Sequence, residues 1–113
     1  MTAIPGASWL VDPVGTRPQF TGSDFTDDDR LYARTAEDFV RSEVLPQIDR
    51  IEAQEPGLMP ALLKRAGELG LLMIDVPEQY GGLGLHKTTS MLVSESGALC
   101  ASFSVSWGAH TGI

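Results

Sequence analysis

At 113 residues the chain is one domain's worth of polypeptide, and its 42% hydrophobic content is that of a globular rather than a disordered sequence. Fifteen acidic against eight basic residues leave a net charge of −7, which disfavours nucleic acid and anionic membrane surfaces as partners. A single cysteine, Cys100, excludes an internal disulfide and suits a reducing compartment.

Residues 1–25 hold Pro5, Pro13 and Pro18 with Gly6, Gly15 and Gly22, a spacing that forbids a continuous helix. The segment reads as an extended leader, either anchored by Trp9, Leu10 and Phe20 or disordered. Met1 to Asp12 has neither the basic and apolar regions of a secretory signal nor the arginine richness of a mitochondrial presequence. The first helix opens at Thr26, whose hydroxyl can cap the free N–H groups of the first turn. Asp27, Asp28 and Asp29 then sit at the positive end of the helix dipole. Tyr32, Ala36, Phe39, Val40, Val44, Ile48 and Ile51 recur at helical spacing, and Pro46 should kink or restart the helix.

A second helix is expected from Pro60, with Leu62, Leu63, Ala66 and Leu69 as its apolar stripe and Gly70 as a left-handed stop. Leu71, Leu72, Met73, Ile74 and Val76 should be buried and extended. Three glycines within Tyr80–Gly84 require a turn. From Thr88 onward Glu95 is the only formally charged residue, yet six serines and three threonines argue against a membrane span. Two buried helices meeting near Ala101-Ser102 fit better. Leu92, Val93, Ser96 and Leu99 would face inward on one, and Phe103, Trp107 and His110 would share a face on the other. Gly97, Ala98 and Gly108 would admit close backbone approach.

Few constellations could carry chemistry. Gly81 is followed, after four residues, by His86-Lys87-Thr88, so His86 stands where a phosphate loop needs glycine. A dinucleotide fingerprint counted from Gly82 fails at Lys87. His86, Cys100 and His110 match no standard zinc spacing, and no nucleophile elbow supports a serine triad. Glu95, a lone carboxylate in a neutral stretch, reads as a surface or paired group more readily than as a tuned base.

With these elements placed, the chain resembles the N-terminal α-helical domain of acyl-CoA dehydrogenases. The resemblance rests on five segments in order: Phe25–Arg30, Phe39–Pro46, Gly67–Leu72, Val76–Gly84 and Gly108–Ile113. It implies an all-α, antiparallel bundle-like domain over residues 26–113, preceded by the leader at 1–25. It further implies an oxidoreductase of fatty acid metabolism that uses FAD to remove hydrogens from the α and β carbons of an acyl-CoA thioester. The expected partners are acyl-CoA, the remaining domains of the parent enzyme, an electron-transfer flavoprotein or similar acceptor, and further copies in a dimer or tetramer. The expected location is the cytoplasm. The family's catalytic glutamate and most of its FAD contacts lie in the middle and C-terminal domains, and Glu95 does not match that glutamate. The segment alone is therefore expected to be inactive and not to hold FAD. The family's role for this domain is to wall the acyl-tail end of the active site, which points to Val105, Ser106 and Ala109 as substrate-contacting positions. Trp107 would shorten the cavity if its indole turned inward. The alternative is a standalone helical interaction or lipid-tail-binding module derived from the same domain.

Overall fold

The computed structural model describes Ala7 and residues 10–112; Trp9, named above as an anchor, lies outside the described residues. All regular structure among them is helical. Helix α1 spans Asp27–Phe39, α2 Ile48–Glu52, α3 Leu58–Glu68, α4 Lys87–Gly97 and α5 Ala101–Gly112.

Local chemistry sets the start of α1. The Thr26 hydroxyl accepts the Asp29 amide at 3.1 Å, and the Asp29 carboxylate accepts the Thr26 amide at 2.8 Å, a reciprocal capping box. The helix runs on from Phe39 through a π-turn at Val40–Val44 and a 3-10 turn at Leu45–Gln47 before α2. Pro46 explains the irregularity. It has no N–H to donate, and its ring crowds the carbonyl four residues back. Widening the preceding turn relieves that crowding. The Gln47 side-chain Nε2 donates to the Glu43 carbonyl at 2.7 Å and occupies one acceptor of the disturbed ladder. The restart was expected from sequence; the π-turn was not.

Helix α3 begins two residues before the expected Pro60, because Gly57 adopts a left-handed φ of +82° and turns the chain into the helix. It ends as the sequence indicated. Gly70 has φ +78°, its amide donates to Gly67, and the Leu71 amide donates to Ala66, which together close a Schellman stop. Residues 71–76 are turns and bends rather than a regular extended run, and of them Leu71 and Ile74 are fully buried. They are tied to the segment after the glycine turn by Leu83→Met73, Leu85→Ile74 and Gly84→Val76 amide-to-carbonyl bonds of 2.8–2.9 Å.

The core joins Ala36, Phe39, Val40 and Val44 of the first helical stretch to Leu62, Ala66, Leu71, Ile74, Val93, Phe103 and Trp107. Helix α1 packs along α4, and α5 lies against α2, α3 and α4. Asp29 also accepts a 2.6 Å hydrogen bond from the buried Thr89 of α4, so one carboxylate caps α1 and ties the two helices together. On the α3 side, Arg65 reaches Glu43 at 3.1 Å and Glu68 at 3.3 Å.

Several expected burials fail. Ile48 and Leu99 are 40% and 41% exposed, and His110 is exposed. Leu99 falls in the short link after α4 has already ended at Gly97, so helical spacing no longer sets its direction. Gly97 is in close contact, but with the Trp107 ring rather than a neighbouring backbone, while Ala98 is exposed and a Cβ on Gly108 would meet nothing within 4 Å. In the leader Leu10 and Phe20 are largely exposed, although the Phe20 ring rests edge-on against Phe25 at 4.9 Å.

Candidate functional site

Helix α5 carries all three sequence-predicted substrate positions, and two aromatic residues fix how it sits. Phe103 is fully buried and meets Phe39 edge-to-face, with ring centres 5.7 Å apart. Trp107, one turn on, lies 5.8 Å from Phe103 and closes over Gly97. Spacing of four places both rings on one side of α5 and turns the opposite side away from the core.

That opposite side is where Val105 and Ala109 fall. Val105 is 72% exposed and Ala109 is exposed, four residues apart on one stripe. Ser106 is half-buried on a different edge, and its hydroxyl donates to the Ser102 carbonyl at 3.1 Å. Within this chain the three residues therefore do not line one cavity. Ser106 borders a groove of about 340 Å³ between α2, α3 and α5, together with Ile51, Glu52, Leu58, Met59 and Ser102. Across that groove Ser102 donates to Glu52 at 2.5 Å. Sequence reasoning missed Glu52 and Met59. Glu52 reads as one more acid on a solvated face, and no local signal links it to a serine 50 residues away.

The glycine turn is structural. The amides of Gly81, Gly82, Leu83 and Gly84 already donate to Glu78, Pro77, Met73 and Val76 respectively. None is left to cradle a phosphate, and a Cβ on Gly82 would come within 2.0 Å of the Val76 carbonyl oxygen. Of the basic side chains near this turn, Lys87 is paired with Asp75. His86 and His110 are exposed while Cys100 is buried, and Glu95 is exposed on α4. Among the described residues no three His, Cys, Asp or Glu side chains converge as a metal site would require. The Asp29 carboxyl is held below its ordinary value by hydrogen bonds. The Thr89 hydroxyl and the Thr26 amide, the main donors, lower its pKa, and desolvation opposes them.

The described residues form an all-helical unit with a reciprocally capped first helix, a glycine turn locked onto residues 73–76 and a last helix without Asp, Glu, Lys or Arg. The chain belongs to the acyl-CoA dehydrogenase N-terminal domain family, whose model matches residues 26–113. It is 48% identical over 108 residues to a probable acyl-CoA dehydrogenase of Bacillus subtilis, covering 96% of this chain and 18% of that protein. It is 36% identical over 78 residues to the mitochondrial short-chain specific acyl-CoA dehydrogenase of Mus musculus, covering 67% of this chain and 18% of that one. A crystal structure of acyl-CoA dehydrogenase complexed with FAD from Bacillus anthracis superposes with a TM-score of 0.89 at 45% identity, over 98% of this chain and 19% of that one. The chain thus spans about a fifth of the length of these relatives.

Proposed function

We propose that this chain is the N-terminal helical segment of an FAD-dependent acyl-CoA dehydrogenase, and that α5 walls the acyl-tail end of its active site. Membership of the family over residues 26–113 carries the reading, and α5 supplies the surface it needs. A stripe of Val105 and Ala109 with no charged neighbour on α5 suits an acyl chain, whereas a face built for water would carry charged side chains. Trp107 is buried against Gly97 on the core side, so its indole does not turn toward Val105 and Ala109. That favours medium or long acyl chains over very short ones.

FAD does not fit the residues present here. The glycine turn has spent its amides, and Arg41, Arg50 and Arg65 are paired with Glu37, Glu55 and Glu43. Hydride acceptance therefore belongs to the rest of the parent enzyme, as does the base that removes the α proton. The same reading extends to an electron-transfer flavoprotein or similar acceptor, to a homo-oligomer and to the cytoplasm. No helix among the described residues is long and apolar enough to cross a membrane.

The test is Ala109→Phe in the complete enzyme, with kcat/KM measured across acyl-CoAs of increasing length. Ala109 is exposed in this chain, so the larger ring does not disturb the domain's own core. A buried methylene contributes about 0.8 kcal/mol, so each one excluded lowers kcat/KM by about fourfold. A loss confined to longer chains supports the assignment. An unchanged length profile at full FAD content removes Ala109 from the acyl-tail wall.

A further inference from the structure

We draw no further inference here: the strongest candidate, the groove of about 290 Å³ between α1 and α4 lined by Arg30, Ala33, Arg34, Leu92 and Ser96, carries no proposal, because Glu37 lines it as well and nothing in the structure shows what covers it.

Discussion

Gly97→Ala tests the packing that aims α5. A Cβ at this buried glycine would lie 2.2 Å from Cζ3, 2.9 Å from Cη2 and 3.3 Å from Cε3 of Trp107. Carbon atoms in comfortable contact stand about 3.5–4.0 Å apart, so the ring or the helix must retreat by more than about 1 Å. Trp107 has little room to yield. The gap beside it, bordered by Leu71, Ile74 and Val93, holds only about 10 Å³, no more than one water molecule's worth. Overpacking of this kind costs about 1–3 kcal/mol. Alanine's better helix propensity returns at most about 1 kcal/mol. A net loss of about 1–2 kcal/mol is expected from urea unfolding of the chain followed by far-UV circular dichroism. Gly108→Ala is the control, since it is the same exchange in α5 with nothing within 4 Å of the new methyl. It should stabilise by about 0.4–1 kcal/mol. If both variants moved in the same direction, the wedge between Gly97 and Trp107 would not exist as described.

Gly82→Ala should cost more than about 2 kcal/mol, because the new methyl meets the backbone oxygen of Val76 at 2.0 Å, whereas Gly22→Ala, in open space, should stay within about 0.5 kcal/mol; thermal melts compare them. Asp29 has a pKa held below its ordinary value of 3.8, so its stabilising share is present above that value and is lost as pH falls through the lower, folded-state one. Asp29→Asn should therefore be less stable at pH 7 and lose stability less steeply below pH 4, as read by urea midpoints across pH; an unaltered slope would exclude this carboxylate from acid unfolding. Thr89→Val removes the cross-helix donor and should cost about 1–3 kcal/mol in the same assay. The 113-residue chain titrated with FAD should leave flavin fluorescence unchanged at micromolar concentration; saturable quenching would contradict the spent-amide argument for the glycine turn.

The features legible in the sequence are those set by a few neighbouring residues. Thr26 and Asp29 stand at capping-box spacing, Pro46 lacks a donor, and Gly70 and the 81–84 turn need backbone freedom; each does what its local chemistry requires. What failed was the phase of a face beyond a break. The link from Gly97 to Ala101 is too short to carry helical spacing across it, so Leu99 points outward. His110 keeps correct spacing from Trp107 yet is exposed, and Thr111 rather than His110 borders the gap beside Trp107. The candidate site was legible as residue types, small and uncharged at Val105, Ser106 and Ala109. That Ser106 turns to a groove with Met59 and Glu52, while the other two face away, depends on contacts about 50 residues apart in sequence, which no local pattern encodes.

The way α5 divides its surface links the fold to the proposed role. A helix that packs on its own domain and otherwise meets water keeps one apolar stripe and gives the rest of its circumference to charge. Helix α5 has the stripe, Phe103 and Trp107, but outside it offers serines, alanines, glycines and Val105, with His110 the only titratable side chain. Propensity does not account for this, because glycine at 108 weakens a helix and three serines add little. Small uncharged side chains do allow a close, non-polar contact along the outward face. The Phe39–Phe103–Trp107 stack, with Gly97 beneath it, holds that face at a fixed angle to α1 and α4. Disturbing the stack should therefore alter an acyl-chain length profile without any change at Val105 or Ala109, while substitutions at those two positions should alter the profile and leave the domain's own stability in place.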